Sequence, residues 1–390
     1  MKQMPRISTI SSYKITNNEL TKETGMIPYL LHKKYGFDST VVTIKQGDYP
    51  YLNNEVKGLK VHFVKRTFRV PHVVNFSHLW YVIRHAKKID ILNVYFLCPD
   101  AVVLAWVFKL LNKKGLVYLK LDAHLNRFVD FFYDKSGFFK RLKIKFFTKA
   151  YASKYFDLIS YETMPRSNEL EGYPIKLFKE KMFYLPTGFY VPNMNEQELI
   201  EKMHSKKKII LICGRIGFRG FPYKNHDRLL NILPQLNFKD WSIKFVGPVE
   251  PYFEKLVADF FKNNPDLKNK VIFTGAVSDK KQLQNEYLSS AVYLVTSVKE
   301  ESYNISLIEA LNAGCYVVST DMGVAFDAIQ NDAKIGQIIT LDNLPKKLQD
   351  IIDGKINVFE HISERHHRAE AFSWEVNIPR LYQRLSEICK

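Results

Sequence analysis

The feature that most constrains the fold is the alternation of strand-like and helix-like stretches along the whole chain. Helical stretches such as KNHDRLLNIL, PYFEKLVADFFKN and LPKKLQDIID separate short apolar runs. Strands that alternate with helices favour parallel sheets, because parallel strands need a crossover connection. The predicted strands are RISTI, STVVTI, LKVHFV, ILNVYF, LVYLKL, DLISY and MFYLP, then KKIILIC, WSIKFVG, VIFTG, AVYLVTS, CYVVST and GQIIT. The pattern predicts an α/β protein with two doubly wound, Rossmann-like domains.

The predicted domain boundary lies in PTGFYVPNMNEQE, residues 186–198, where Pro, Gly and Asn cluster. The 390 residues exceed one ordinary core and suit two domains. We predict a first domain of residues 1–190, a second of residues 191–371, and a last helix, 372–390, that packs back on the first. Two such domains that face each other leave a cleft at the carboxyl ends of their strands, where ligands bind.

Composition excludes several kinds of site and location. The four cysteines are scattered without a C-x-x-C pair, so neither a zinc site nor a disulfide framework is predicted, and a reducing, cytoplasmic compartment fits. The most apolar long stretch, residues 91–111, is interrupted by Pro99 and Asp100, which favours a strand and a buried helix over a membrane span. The chain is therefore predicted to be soluble or peripheral on a membrane.

The net charge of +17 is concentrated in the first half of the chain. Residues 1–195 carry 31 Lys and Arg against 15 Asp and Glu, a net of +16, whereas residues 196–390 carry a net of +1. Such asymmetry indicates that the first half faces an anionic partner or at least tolerates one. The stretch 130–156 is both basic and aromatic, which predicts contact with an anionic membrane surface; the alternative is a helix that packs its aromatic side chains on the sheet.

Two polar motifs follow strands of the second half and suggest a site for an anionic ligand. In GRIGFRGFPYKN, Arg215 and Lys224 bring a guanidinium and an ammonium to a strand-to-helix connection, which suits a diphosphate. In EESYNISLIEALNAG, Glu301 and Glu309 lie eight positions apart around a helix start. The alternatives are ordinary loop charges for the first motif and, for the second, an S-x-x-E capping box formed by Ser306 and Glu309.

Together these motifs resemble the retaining family-4 glycosyltransferases of the GT-B fold, which carry a G-R-(loop)-K-N element and an E-x7-E motif. The resemblance implies that Arg215 and Lys224 hold the diphosphate of a nucleotide-sugar donor. It implies that Glu301 accepts hydrogen bonds from the donor sugar and Glu309 from the ribose. The remaining donor-binding residues that it implies are Tyr303, Asn304, Ile305, Ser306, Thr274 and, in place of a glycine-rich loop after the first strand, Gly25.

The resemblance also implies roles for two residues of the first domain, which would bind the acceptor. His124, in LVYLKLDAHLNRF, would lie over the donor sugar and act with Glu301, Arg215 and Lys224 in catalysis; the alternative is a packing histidine. Asp122 would contact the acceptor hydroxyl. No D-x-D triplet occurs in the chain, so we expect Arg215 and Lys224 to replace a metal ion and no cofactor to be required.

The predicted function is therefore that of a hexosyltransferase. It would move a sugar from a UDP- or GDP-sugar to a glycan, with retention at the anomeric carbon, and the acceptor would be a lipid-linked cell-surface polysaccharide precursor at the inner face of the cell membrane. The alternatives are a soluble or protein acceptor, or another GT-B enzyme such as a sugar-nucleotide epimerase. Nucleic acid is not a predicted partner, because no nucleic-acid-binding module is recognisable.

Overall fold

The chain divides into two compact units. A computed structural model describes residues 4–65, 69–70, 74–121, 153–164, 178–190, 194–217, 224–298 and 303–388. The first unit runs to Gly188 and includes the final helix from Trp374 onward. The second unit lies between Phe189 and Ser373.

The first unit is built on a seven-stranded sheet with the order β3-β2-β1-β6-β7-β8-β9. Every neighbouring pair in it is parallel. A separate antiparallel pair, β4 with β5, was not predicted. The strands are β1 (Arg6–Ile10), β2 (Asp38–Ile44), β3 (Lys60–Val64), β4 (Arg69–Val70), β5 (Val74–Asn75), β6 (Ile91–Tyr95), β7 (Leu116–Lys120), β8 (Leu158–Tyr161) and β9 (Met182–Tyr184).

Three helices connect the early strands of this sheet, and the last helix of the chain also belongs to this unit. They are α1 (Glu23–Tyr35), α2 (Phe76–His85), α3 (Pro99–Leu111) and, at the end of the chain, α12 (Trp374–Ile388). Helix α12 stacks the ring of Tyr382 on Tyr35 of α1 at 3.9 Å between centroids. The Asn377 amide donates to the carbonyl of Pro186 at 3.1 Å. Shorter helical segments are Asn17–Thr21, Pro50–Leu52, Ala86–Lys88, Ser153–Tyr155 and Lys179–Lys181.

The second unit is built on a six-stranded parallel sheet with the order β12-β11-β10-β13-β14-β15. Its central strand is β10, whose residues Ile210 and Leu211 are fully buried. The strands are β10 (Lys207–Cys213), β11 (Ser242–Val246), β12 (Val271–Gly275), β13 (Ser290–Val295), β14 (Tyr316–Thr320) and β15 (Gly336–Ile339). The reversal of strand order at β10 places the switch point of the sheet beside its carboxyl end.

Helices cover this second sheet and share its hydrophobic core with the strands. They are α4 (Glu196–His204), α5 (His226–Ile232), α6 (Pro251–Asn263), α7 (Lys280–Ser289), α8 (Ile305–Asn312), α9 (Gly323–Ile329), α10 (Leu344–Ile352) and α11 (Ile362–Glu370), with shorter helical segments at Leu233–Gln235 and Pro265–Asn269. The thirteen strands of the two sheets are those predicted from the sequence, so the predicted α/β fold is confirmed.

Candidate functional site

At the carboxyl ends of β10 and β11 the two backbones lie so close together that a side chain would not fit between them. Gly214 and Gly247 follow these strands with φ angles of 138° and 145°, values that L-residues with a side chain rarely adopt. A Cβ atom on Gly247 would lie 1.8 Å from the carbonyl oxygen of Gly214. The amide of Gly214 also donates to the carbonyl of Val246 at 2.9 Å. The two glycines therefore bring the backbones together at this edge of the sheet.

Lys224 and Asn225, which directly precede α5, are hydrogen-bonded to Thr296, the residue that follows the neighbouring strand β13. The side-chain amide of Asn225 donates to the carbonyl of Thr296 at 2.8 Å, and the Thr296 hydroxyl donates to the carbonyl of Lys224 at 2.6 Å. Asn225 has a φ of 53°, in the left-handed region that Asn tolerates better than most residues. The Lys224 ammonium lies 3.7 Å from the point where a Cβ of Gly214 would be. The predicted phosphate-binding lysine therefore stands over the end of β10.

Arg215 lies next to Gly214, and its side chain is paired with a carboxylate. Its Nε is 3.5 Å from a carboxylate oxygen of Glu250, and its side chain is half exposed. The Gly217 amide, two residues further on, donates to Nδ1 of the buried His226 at 3.0 Å. Burial, with a smaller contribution from the Lys224 charge, lowers the pKa of His226 to about 3. The ring therefore stays neutral, and its Nδ1 atom can accept the hydrogen bond from Gly217. His226 was not predicted, although it directly follows the K-N pair.

The start of α8 is capped by Asn304. Its side-chain oxygen accepts from the amide of Leu307 at 3.2 Å and from the hydroxyl of Ser306 at 2.6 Å. Ser306 accepts in turn from the Tyr293 hydroxyl at 2.7 Å. Because Ser306 is the second residue of the helix and Glu309 the fifth, they do not form the capping box considered above, and that alternative is wrong.

Residues Tyr303 to Ser306 lie at the beginning of α8, where the predicted backbone N–H groups are expected. Tyr303 is buried, and Ile305 and Ser306 occupy the first turn of the helix. The first amides of a helix have no carbonyl partner within it, so they can meet oxygen atoms of a ligand.

Lys224 and Glu309 converge on the carboxyl end of β10. Burial raises the pKa of the Cys213 thiol, at the end of that strand, to about 12. The Tyr287 hydroxyl, which donates to Glu309, is also hydrogen-bonded to the Cys213 thiol, and the Lys224 ammonium lies beside Gly214, the next residue. The structure therefore brings together two of the predicted donor residues that are 85 positions apart.

A small pocket between α7 and α8 adjoins Glu309. The hydroxyl of Tyr287 donates to Oε2 of Glu309 at 3.1 Å. Lys280 and Gln284, both on α7, line the same pocket. The Gln284 side chain is 8% exposed, and its carbonyl oxygen has no hydrogen-bond partner among the described residues. The pocket thus offers a carboxylate, an ammonium and an amide to a polar ligand, and sequence reasoning found only the first of these.

The other predicted site residues have different positions. Thr274 is exposed at the carboxyl end of the edge strand β12, where its hydroxyl donates to the carbonyl of Phe245 at 3.3 Å. Gly25 lies in the first turn of α1, and a Cβ there would be 2.2 Å from the carbonyl oxygen of Leu20. That close approach requires glycine for packing. Three further predictions, Glu301, His124 and Asp122, lie outside the described residues.

A buried ionic cluster at the carboxyl edge of the first sheet was not predicted. Lys120 ends β7 and is fully buried; its ammonium donates to Glu162, which follows β8, and lies 3.5 Å from Glu23. The hydroxyl of Thr187 donates to Glu23 at 2.6 Å. Burial raises the pKa of Glu162 to about 7, which Lys120 opposes and Glu23 reinforces. Two carboxylates therefore share one lysine, and Glu162 holds a proton near neutral pH.

We expect Glu162→Gln to flatten the pH dependence of stability. The folded state binds the Glu162 proton more tightly than the unfolded chain, where the ordinary value is 4.5. Stability is therefore lost as the pH rises from about 4.5 to about 7, by at most about 1.4 kcal/mol per pH unit for one proton. Glutamine does not titrate, so the melting temperature of the variant should fall less between about pH 5 and pH 8.

Glu180→Gln provides the matched control, because Glu180 is an exposed carboxylate of the same unit. Its melting curves should follow those of the parent at every pH. Parallel pH profiles for the parent and Glu162→Gln would contradict a proton held in this cluster.

Comparison with known proteins gives a match over the second unit. Residues 207–354 match the family described as "Glycosyl transferases group 1". The phosphatidyl-myo-inositol mannosyltransferase of Mycolicibacterium smegmatis is 25% identical over 210 residues, 52% of this chain and 52% of that protein. The protein of the same name from Mycobacterium tuberculosis is 26% identical over 212 residues, 51% of this chain and 53% of that protein. The chain thus spans about half the length of these relatives.

Solved structures match nearly the whole chain. A glycosyltransferase from Rickettsia africae aligns with a TM-score of 0.71 and 17% identity, covering 99% of both chains. HepE of Anabaena, solved with UDP, aligns with a TM-score of 0.70 and 14% identity over 98% of this chain and 100% of that one. The lipopolysaccharide outer core galactosyltransferase WaaB gives 0.66 and 15% identity, covering 98% of this chain and 99% of that one. Residues 207–354 are therefore similar to the glycosyl transferases group 1 family, in a chain that has the GT-B fold.

Proposed function

We propose that this protein is a hexosyltransferase that moves a sugar from a UDP- or GDP-sugar to a glycan. The observation that carries the proposal is the position of Lys224 and Glu309 at the carboxyl end of β10, where the Lys224 ammonium lies beside Gly214 and Glu309 adjoins a pocket through its contact with Tyr287. A cation for phosphate and a carboxylate for hydroxyl groups, a few residues from a helix start, suit a nucleoside diphosphate. The match to a glycosyltransferase family and the likeness to a fold solved with UDP support the same ligand.

The donor would extend across the edge of the second sheet. Arg215 and Lys224 would contact the diphosphate, and Glu309 would accept hydrogen bonds from the ribose. The first amides of α8, at Ile305 and Ser306, would face the sugar or phosphate oxygens. The resemblance assigns Glu301 to the hydroxyls of the donor sugar. Each bond to a carboxylate would be charge-assisted and hence stronger than one between neutral groups.

The reaction would proceed by substitution on the face from which the nucleotide leaves. The bond between the anomeric carbon and the diphosphate oxygen breaks, and the acceptor oxygen bonds to the same carbon with retention. The proton of the acceptor hydroxyl passes to an oxygen of the leaving phosphate. Arg215 and Lys224 would stabilise the charge that develops on the diphosphate, so positioning and electrostatics would supply most of the rate enhancement.

We further propose a lipid-linked precursor of a cell-surface polysaccharide as the acceptor. Two kinds of similar protein have acceptors of this general type by name, the phosphatidyl-myo-inositol mannosyltransferases and the lipopolysaccharide outer core galactosyltransferase. In the part of the chain that the structure describes, no helix is long and apolar enough to cross a membrane. Contact with lipid at the inner face of the membrane would then rest on the surface of the protein.

Thermal unfolding in the presence of nucleotides tests the donor proposal. UDP, GDP and ADP would each be added at increasing concentration, with uridine and guanosine as controls that lack the diphosphate. A ligand at 100 times its dissociation constant stabilises the folded state by about 2.7 kcal/mol. We expect one diphosphate to raise the melting temperature and its nucleoside to have much less effect. No shift with any diphosphate would overturn the proposal.

A product assay then separates transfer from other chemistry on the same ligand. The protein would be incubated with the sugar nucleotide identified by binding, with and without an added glycolipid. Transfer predicts a new glycolipid with the anomeric configuration of the donor. Conversion of the sugar nucleotide alone would identify an epimerase instead, and transfer only to soluble glycans would contradict the lipid-linked acceptor.

Transfer is expected to continue in excess EDTA. The reason is the lack of a D-x-D triplet in the sequence together with the position of Arg215 and Lys224, which can neutralise the diphosphate without a metal ion. Initial rates would be compared with EDTA, with Mg²⁺ and with Mn²⁺. A rate that disappears with EDTA and returns with either cation would contradict this expectation.

A further inference from the structure

Two helices of the first unit expose large apolar side chains to solvent. Trp80 and Ile83 of α2 are 55% and 42% exposed. Trp106, Leu110 and Leu111 of α3 are 42%, 58% and 40% exposed. Single exposed apolar residues are common on soluble proteins, but a contiguous group marks a surface that contacts another molecule or a membrane.

The two helices lie side by side, parallel and in register. At their amino ends, the Asn75 amide donates to the Asp100 carboxylate at 2.9 Å. At their carboxyl ends, the Asn112 side chain donates to the carbonyls of Ala86 and Ile89 at 3.0 Å and 2.8 Å. Both pairs of ends are therefore tied together, which fixes the relative height of residues on the two helices.

This register places the two tryptophans at the same height. With a rise of about 1.5 Å per residue, Trp80 is about 7.5 Å along the axis from Asn75, and Trp106 is about 9 Å from Asp100. Ile83 and Leu110 follow in the next turn of each helix. Packed helix axes are about 8–10 Å apart, so these side chains form one surface. We call it the α2–α3 surface, defined by Trp80, Ile83, Trp106, Leu110 and Leu111.

Basic side chains lie around this surface, and the one acidic residue of its two helices, Asp100, is buried. Residues 76–89 and 101–116 contain six Lys and Arg and no Asp or Glu. The Arg84 guanidinium lies 4.7 Å from the centre of the Trp80 ring. The exposed lysines at the carboxyl ends of the two helices are Lys87, Lys88, Lys113 and Lys114. Tryptophan with Lys and Arg is the composition of surfaces that lie in the headgroup region of anionic membranes.

We propose that the α2–α3 surface docks on an anionic lipid membrane, with Trp80 and Trp106 inserted at the headgroup level. Five of the six cations are exposed, the sixth, Lys109, being paired with Asp157 at 2.6 Å. An anionic surface complements these five cations, whereas a second copy of the chain would bring two basic surfaces face to face in a symmetric dimer. The proposal goes beyond the proposed transfer reaction and does not depend on it, because lipid binding can be measured without a donor or an acceptor.

The distribution of tryptophans makes the test direct. The chain has four tryptophans, of which Trp241 and Trp374 are 2% and 5% exposed. Intrinsic fluorescence that responds to lipid therefore reports on Trp80 and Trp106. The full chain would be titrated with vesicles of phosphatidylcholine alone and of phosphatidylcholine with phosphatidylglycerol. We expect a blue shift, and quenching by brominated acyl chains, with the anionic vesicles at low salt and loss of both at high salt.

Paired variants separate the apolar from the electrostatic contribution. Trp80→Gln with Trp106→Gln leaves the charge unchanged and should weaken co-sedimentation with anionic vesicles by about tenfold or more. Its control, Tyr252→Gln with Leu256→Gln, alters two exposed apolar residues of α6 in the second unit and should have little effect. Replacing the four lysines of the surface by Gln should weaken binding by roughly a hundredfold. Its control makes the same charge change at exposed positions elsewhere, namely Lys57, Lys255, Lys262 and Lys268.

Several outcomes would overturn the proposal. They are unchanged binding in both α2–α3 variants, equal binding to neutral and anionic vesicles, no binding at low salt, and a dimer in solution that dissociates in the tryptophan variant. Loss of binding only when Lys140, Arg141, Lys143 and Lys145 become Gln would assign the membrane contact to residues 130–156 instead. In every variant the thermal shift with nucleoside diphosphate should match the parent, which separates a failure of docking from a failure of donor binding.

Discussion

Replacing Lys224 by alanine is expected to lower the rate of sugar transfer by about a hundredfold or more, with little change in melting temperature. The Lys224 ammonium lies at the carboxyl end of β10, near the Cys213 thiol. The hydrogen bond between Lys224 and Thr296 involves the backbone carbonyl of Lys224 and not its side chain. Truncation therefore removes a preorganised charge and leaves the fold in place. The variant should also bind a nucleoside diphosphate more weakly, while its affinity for the nucleoside alone is unchanged.

Lys208→Ala is the matched control for this experiment. Lys208 lies near the amino end of β10, where it is exposed and pairs with Asp240 at 2.6 Å. The two variants lose the same charge, Lys208→Ala at the amino end of β10 and Lys224→Ala beside its carboxyl end, so only Lys224→Ala should affect transfer. Glu301→Gln is expected to reduce transfer on the same scale as Lys224→Ala. Near-normal transfer rates in Lys224→Ala or in Glu301→Gln would contradict the assignment of the donor site.

The strands of both sheets could be predicted because each is a short apolar run between turn residues. Strand β10 has its interior residues Ile210 and Leu211 fully buried, and such a strand is recognisable without any knowledge of its neighbours. The antiparallel pair β4 and β5 is only two residues long on each side, too short to leave a periodic pattern. Length and burial therefore decide which strands a sequence reveals.

The local details of the site were less predictable, because several side chains can perform the same task. Both Asn304 and Ser306 are good helix caps, and only the point at which the chain begins to turn selects Asn304. The resemblance to a family drew attention to Lys224 and Glu309, which the structure places at the same edge of the second sheet. It gave no information on Lys280 or Gln284, whose contribution depends on how α7 packs beside α8.

The cluster of Lys120, Glu162 and Glu23 could not have been assembled from the sequence. Its members come from β7, from the end of β8 and from α1, and only the topology of the sheet joins them. One signal was present, a lysine within the otherwise apolar strand LVYLKL, since a fully buried lysine requires a carboxylate partner. The exposed apolar face of α2 and α3 was equally hidden, because an amphipathic pattern does not reveal what covers the outer side of a helix.

Gly247 is expected to be essential for the stability of the second unit, because any side chain there would clash with the backbone of Gly214. Gly275, which lacks such a clash, serves as the control. Gly247→Ala places a Cβ 1.8 Å from the carbonyl oxygen of Gly214, which is backbone and cannot rotate away. Gly275, at the end of the neighbouring strand β12, has a φ of 74° but nothing within 4 Å of its Cβ position. Gly275→Ala therefore introduces only the backbone strain of a positive φ, without a clash, and should lower the free energy of unfolding by about 1 kcal/mol.

Gly247→Ala has the strain and the clash together, and we expect a loss of about 3 kcal/mol or more, seen as a clearly lower midpoint of denaturant unfolding. The folded fraction should also bind nucleoside diphosphate more weakly, because relief of the clash must move Gly214, which adjoins Arg215 and the Lys224 ammonium. Gly275→Ala should bind it as the parent does. Equal stability of the two variants would show that the strand ends separate without cost, and the close approach of β10 and β11 could then not be what holds Arg215 and Lys224 in place.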